Sequence, residues 1–486
     1  MFLFSQDVSE TPVRDTVYVI RTVSYRITGK TKEWALAREL GFGEESSFTG
    51  TEALDAYIAR KTQDLHNLRA LDADAGFIRY TLGESEPDGA VPVHVEVYAA
   101  DSLNFIALPE PKYDSNTGFS LSLKAREYNF LGTLSPLKFD LIWERDDKKN
   151  LQSAGFLIDA DLPFEAFGFV WNINFDNEYR YFFGAPWYYK NTTGLSMELP
   201  VSSTLFTFGF EQGLVFHEEN DTDDDIDDGE YHDWYAYSKL YTDWKIPTPL
   251  EAGPLGRVSY IPGIYGNVNY QPGGDVGDYR RGPNGGFNHR LEAGTIDWLG
   301  NFRQGFKASV FNNNDWNFFH HDWDNSIGFL AEGHVNLSRR FGISGRFGYT
   351  RWFDDSFDLA GDVIRGLEDD ALDTGRRLFL NLDFPFRLIR FTPSEWSGKK
   401  KLRYFDFEQH WSPFIDLVMT ESAGGYSFHP RDIITSVGLE VITFPLTWRS
   451  FYIRISAGWN LRDWVKNQKP PSGIYREIFI GLGHFY

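Results

Sequence analysis

Two stretches of the chain hold metal-type ligands at a spacing that could do chemistry. Asp221-Thr222-Asp223-Asp224-Asp225-Ile226-Asp227-Asp228-Gly229 sets carboxylates at alternate positions, as a calcium loop does. The EF-hand pattern needs glycine at its sixth position and glutamate at its twelfth, and here those places hold Ile226 and His232. The run therefore reads as a solvated acidic loop, with weak Ca²⁺ or Mg²⁺ bridging as the alternative. His320-His321-Asp322 sits among Trp316, Phe318, Phe319 and Trp323 without a third ligand at a useful spacing, and reads as an aromatic surface loop. The chain has no G-x-S-x-G elbow, no H-E-x-x-H pair and no phosphate loop. Cysteine is absent, which removes disulfides, thiolate metal sites and cysteine nucleophiles and is compatible with an oxidising periplasm. The expectation is a protein that binds rather than catalyses, with no cofactor and no metal.

The elements that must position any site are constrained by composition. The 486 residues carry 69 acidic against 47 basic side chains, a net charge of −22 that argues against nucleic acid as a partner. Aromatic residues make up 17%, with 43 Phe, 25 Tyr and 15 Trp, yet the mean hydropathy is only −0.38. So many aromatics exclude disorder. No window holds the roughly 18 uninterrupted apolar residues of a membrane helix. What fits is an all-β chain whose apolar residues lie on alternate positions, where an averaged hydropathy does not register them.

Residues 1–15 open on Met1-Phe2-Leu3-Phe4 without a basic segment, and are either the stub of a cleaved signal or a disordered start. Residues 16–100 have the order β-α-α-β-β. Thr16 to Thr28 alternates as a strand, Glu33 to Leu40 and Thr51 to Leu71 read as helices, and Ala75 to Glu84 and Val91 to Ala99 are strands joined by Pro87-Asp88-Gly89. From residue 101 to 486 the helical period disappears. Phe206, Phe208, Phe210, Leu214 and Phe216 share one face, opposed by Thr207, Gly209, Glu211 and Gly213. Phe341, Ile343, Phe347 and Tyr349 alternate with Arg346 and small residues, and Phe451, Ile453, Ile455, Ala457 and Trp459 alternate with Arg454, Ser456, Gly458 and Asn460.

A soluble sandwich would show the same alternation, so loop lengths decide. Long polar or aromatic connections near 178–188, 218–230, 271–284, 313–324, 354–374, 421–431 and 463–473 alternate with short ones near 162–166, 200–203, 298–300, 338–340 and 446–448. That asymmetry is the mark of a transmembrane antiparallel barrel. The connections 246–255 and 389–408 break the rule. At about 24 residues per strand and connection, the expected barrel has about 16 strands, and a direct count of alternating segments gives between 16 and 18. Trp411, Trp448, Trp459 and Tyr486 near strand ends fit interfacial girdles.

The C-terminal half carries a more specific pattern. Ile364-Arg365-Gly366-Leu367, in a long loop, is followed by Leu378-Phe379-Leu380-Asn381-Leu382-Asp383-Phe384-Pro385, by Phe414-Ile415-Asp416, and by an alternating strand that ends on Phe485-Tyr486. In this the chain resembles the BamA-like superfamily of outer-membrane barrels, which includes barrel-assembly and two-partner secretion proteins. The first run is similar to that superfamily's (V/I/L)RG(F/Y) lumen loop, with Leu367 where an aromatic is usual, and residues 16–100 resemble a single POTRA domain. The alternation turns Leu378, Leu380, Leu382, Phe384 and Phe386 to lipid and so Asp383 to the lumen, and it does the same for Asp416. The resemblance implies that Arg365 pins the loop to Asp416, with Asp383 alongside, through charge-assisted bonds. Gly366 would permit close backbone approach.

The resemblance further implies a bacterial outer-membrane location with the small domain in the periplasm, and a seam between the first barrel strand and the last. The first strand is sought in 102–112 or 119–129; the last holds Ile478, Ile480, Leu482, Phe485 and Tyr486. Pro109 and Pro111 remove ladder donors from the earlier segment. The expected function is assembly or translocation of polypeptides by strand addition to the POTRA sheet, the alternatives being a two-partner-type secretion pore or a non-specific diffusion channel. The partners implied are outer-membrane lipids, unfolded or extended polypeptide clients and periplasmic accessory proteins.

Overall fold

The computed structural model describes residues 16–42, 47–87, 89–114, 118–146, 151–184, 186–217, 234–277, 280–353, 358–359, 361–367, 373–422, 428–461 and 476–482. The chain divides into two compact units, Met1–Asp101 and Ser102–Tyr486.

In the first unit, β1 (Val17–Thr28), α1 (Glu33–Leu40), β2 (Ser47–Thr49), α2 (Thr51–Asn67), β3 (Phe77–Leu82) and β4 (Val91–Ala100) follow in order. The sheet order is β2-β1-β4-β3, with β1 and β4 parallel and the other pairs antiparallel. A parallel pair needs a long crossover, which the two helices supply. Helix α1 stops at Gly41, whose φ of 56° lets its amide close on the Ala37 carbonyl at 2.9 Å. The core comes from two periodicities meeting: Leu54, Ile58 and Leu65 line one face of α2, while Val93, Val95, Val97 and Ala99 alternate along β4. Leu54 has no exposed surface. Leu54→Ala is expected to cost this unit about 2–5 kcal/mol, read as a lower urea midpoint of the helical circular dichroism signal; an unchanged midpoint would contradict this core. The short β2 is the one element of this unit that the sequence pattern does not announce.

The second unit is a closed antiparallel barrel running from β5 (Phe105–Asp114) to β24 (Arg476–Leu482), with strands paired in chain order and β24 beside β5. Within it β18 (Asp358–Leu359) is a two-residue piece, and β20 (Phe386–Phe391) continues β19 (Asp373–Asp383) past Phe384-Pro385, so the wall has 18 strands among the described residues. This is above the 16 expected from length and at the upper end of the direct count of 16 to 18. The 18 strands leave about 21 residues for each strand and connection, fewer than the roughly 24 assumed, because several connections are shorter than their sequences suggest. The strand Trp234–Glu251 runs through Pro247 with a register shift, which removes one of the two exceptional connections. The strands Phe302–Asn317 and Asp322–Asn336 consume most of 313–324.

The wall alternates as a membrane barrel must. Phe208, Phe210, Leu240, Ile264, Phe306, Val310 and Ile455 are each more than 40% exposed on the outside. An apolar band of this extent has no place in water and is satisfied by hydrocarbon. At the end where β5 begins, the turns 167–168, 202–203 and 300–301 are two residues long. Phe167 and Gly168 both take positive φ, 56° and 79°, the primed turn that matches strand twist. The connections 128–136 and 446–452 at this end are longer, and the insert 392–406 is longer still. The strand ends Phe216 and Trp234, Phe353 and Asp373, and Asn460 and Arg476, which flank the long connections, lie at the other.

Candidate functional site

The wall strands that matter are β17 (Gly342–Phe353), β19, β21 (Phe407–Ser422), β22 (Ile434–Pro445) and β23 (Ile453–Asn460). Their register puts Asn381 opposite Asp416, Asp383 opposite Phe414, Asp416 opposite Ser436, and Gly438 opposite Gly458. Period-two alternation aims all of these into the lumen, and Asn381, Asp416 and Ser436 have no exposed surface.

Residues 361–367, between β17 and β19, lie in this interior. Val363, Ile364 and Leu367 pack with Phe379, Val418 and Ile434 in one buried apolar cluster. Burial of those side chains brings Arg365, only 1% exposed, against the wall. Its Nε and Nη2 donate to Asp416 Oδ2 and Oδ1 at 2.9 and 2.8 Å, a bidentate pair, while Nη1 and Nη2 donate to Asp383 Oδ1 and Oδ2 at 2.8 and 3.3 Å. The Arg365 backbone amide also donates to Asp416 Oδ2, at 3.0 Å. Below the guanidinium lies the Phe414 ring, its centroid 3.7 Å from Cζ, an attractive cation–π stack. Glu440 Oε2 is 3.5 Å from Nη1 and 3.4 Å from Arg454 Nη1, so the network joins two arginines to three carboxylates.

The loop backbone is held as well as its side chain. Ser436 Oγ donates to the Arg365 carbonyl, and Asn381 Nδ2 donates to the Val363 carbonyl at 2.9 Å. Gly366 has φ of 86°, and a Cβ there would stand 2.8 Å from the Gly458 carbonyl carbon and the Trp459 nitrogen. Only glycine allows this approach. A buried ion pair stabilises only when its geometry is good and its remaining donors and acceptors are filled. Here the arginine fork is used on both sides, so the charge cost of burial is met by hydrogen bonds of the charge-assisted type.

Thus the structure brings together Ile364, Arg365, Gly366, Leu367, Asp383 and Asp416. Ile478, Ile480 and Leu482 lie on β24, opposite Ala457, Ile455 and Ile453 of β23. Phe485 and Tyr486 lie outside the described residues, as does the acidic run 221–229. His320 and His321 form the turn before Asp322, with the His320 ring against Phe319 at 4.9 Å. Sequence reasoning missed Ser436, Glu440, Arg454 and Gly458 as members of the site. Extending the alternation through β22 and β23 reaches the inward Glu440 and Arg454, but nothing local marks that the two meet each other and Arg365.

Beside the cluster is a cavity of about 60 Å³, lined by Arg365, Asp383, Glu440, His334 and His410 among others. His334 bonds Glu332 at 2.8 Å and His410 bonds Glu408 at 2.7 Å. Such a volume holds a few waters, and its lining carries paired polar groups together with the buried Ser412 hydroxyl, which has no protein partner. The site can fix a loop in place and can shape a polar interior.

The fold and site together define a membrane-type β-barrel with an arginine-anchored loop folded into its lumen. No family model and no curated protein matches the chain. Among solved structures it is similar to CdiB from Acinetobacter baumannii, with 10% identity, TM-score 0.45, and coverage of 96% of this chain and 74% of that one. CdiB from Escherichia coli matches at 10% identity and TM-score 0.40, over 99% and 92% of the two chains. BamA from Haemophilus ducreyi lacking POTRA domains 1–3 matches at 13% identity and TM-score 0.36, over 96% and 84%.

Proposed function

We propose that this is an outer-membrane barrel of the BamA-like superfamily that inserts or translocates polypeptides, acting by binding rather than by bond chemistry. The observation that carries this reading is Arg365, held by Asp383 and Asp416 on a loop inside the lumen. It is the arrangement that the R-G, D-F-P and F-x-D runs imply in that superfamily. In this reading the end of the barrel at which β5 begins faces the periplasm, and the Arg365 loop enters from the cell surface.

The first unit acts as a periplasmic POTRA domain. Its three-residue β2 pairs with Val17, Tyr18 and Val19. Along the rest of β1 on that side, an extended client strand adds to the sheet, with main-chain hydrogen bonds giving affinity and little sequence preference. The seam is the β24–β5 junction, where separation would bare two strand edges able to template a client. Outer-membrane lipids cover the apolar band, and periplasmic accessory proteins deliver clients.

Depletion of the protein, followed by quantification of the outer-membrane proteome, tests this. Loss of many barrel proteins is the expected result for an insertion factor, and loss of a single exported polypeptide for a secretion pore. An unchanged proteome and secretome would contradict polypeptide handling and leave a diffusion channel.

A further inference from the structure

The insert between β20 and β21 has no part in the lumen site, and its chemistry differs from the rest of the chain. Over residues 392–406 it carries Lys399, Lys400, Lys401 and Arg403 against Glu395 and the buried Asp406, in a protein of net charge −22. Glu395 is 3.5 Å from Arg390, and all four of the insert's cations are exposed.

The insert is nevertheless ordered against the barrel. The Ser394 amide donates to Asp406 Oδ1 at 3.1 Å, and Thr447 Oγ1 donates to the Arg403 carbonyl at 2.6 Å. The Leu446 amide bonds the Asp406 carbonyl at 2.9 Å. Neither the short helix α3 (Pro393–Ser397) nor the 3₁₀ turn Lys400–Phe405 has a buried residue. Trp396, Tyr404 and Phe405 are 66%, 45% and 64% exposed.

Beside these cations the insert closes an apolar groove of about 550 Å³, lined by Phe105 and Ala107 of β5, Phe391, Phe405, Phe407 and Trp448. Phe391 and Phe407 face each other across the β20–β21 pair, at the end of the wall where β5 begins. An apolar trough rimmed by cations and aromatics fits an anionic amphiphile: acyl carbons in the trough, headgroup on the lysines.

We infer that the insert and the start of β5 form a binding site for an anionic phospholipid of the periplasmic leaflet. The inference deepens the membrane reading above and rests on its orientation. The lipid would sit against the first strand of the seam, so headgroup charge bears on the strand that must part.

The test is native mass spectrometry of the full chain in detergent micelles, offered phosphatidylglycerol and phosphatidylcholine with matched acyl chains. The wild type is expected to retain phosphatidylglycerol with roughly tenfold preference, as four nearby cations warrant. The combined Lys399→Gln, Lys400→Gln, Lys401→Gln and Arg403→Gln variant should lose the preference. Arg339→Gln with Arg340→Gln, two exposed cations in another turn at the same end, should keep it. Phe405→Ser should lower retention of both lipids. Equal retention of the two lipids by the wild type, or a preference that survives the fourfold change, would overturn the inference. Heat-modifiable gel migration reports the barrel separately: if it persists while the preference is absent, only the lipid site fails, and if the wild type lacks it, the membrane reading fails.

Discussion

Arg365→Ala is expected to release the lumen loop and make residues 361–367 accessible to proteinase K in the intact, inserted barrel. The size of the effect follows from what the substitution leaves behind. Asp383 and Asp416 are 7% and 0% exposed, and Asp416 alone accepts three bonds from this residue, of which only the backbone one survives. Removing one partner of a buried pair costs about 3–5 kcal/mol, because the remaining charges stay buried without compensation. Arg365→Lys should fail to restore protection, since an ammonium cannot bond both carboxylates with a planar fork. Asp416→Asn should be intermediate: it keeps an acceptor for the backbone amide but loses the charge. A loop as resistant in Arg365→Ala as in the wild type would mean that the apolar cluster alone holds it.

Gly366→Ala is expected to have an effect of similar size by a different route. Its φ of 86° is costly for any residue with a Cβ, and the added carbon would fall 2.8 Å from backbone atoms of Gly458 and Trp459. Backbone within a paired strand cannot yield as a side-chain tip can. Gly458→Ala tests the same contact from the wall, since a Cβ there meets the Gly366 nitrogen at 2.8 Å and Cα at 3.0 Å. Gly168→Ala is the control: its φ is also positive, at 79°, but nothing lies within 4 Å, so it carries only the turn penalty. Protease protection and thermal migration shift should fall in Gly366→Ala and Gly458→Ala and stay near wild type in Gly168→Ala. Equal behaviour of all three would show that close approach is not what holds the loop.

The legibility of this site follows from the period of a strand. Asp383 and Asp416 could be aimed inward from sequence because their neighbours Leu380, Leu382, Ile415 and Leu417 take the other face, and the period is exactly two residues long in both segments. The same rule carried through β22 and β23 reaches Glu440, Arg454 and Gly458. What it does not contain is distance across the lumen: the contact of Gly366 with Gly458 joins residues far apart in sequence through three strand pairings, and no local spacing encodes it. Strand ends were misplaced for a related reason. Pro247 reads as a loop residue, yet a strand that shifts register there runs on to Glu251. The insert 392–406 was visible as a departure from short turns, but its fold onto the wall depends on Asp406 and Thr447, which carry no positional signal.

The measurement that bears most directly on the account joins the pinned loop to polypeptide handling. Cells depleted of the native protein are supplied with wild-type or Arg365→Ala protein at matched levels of inserted barrel, and the abundance of outer-membrane and exported proteins is quantified. The account predicts that the wild type restores them and that Arg365→Ala does not, although its barrel is present in the membrane. Full restoration by Arg365→Ala would contradict it.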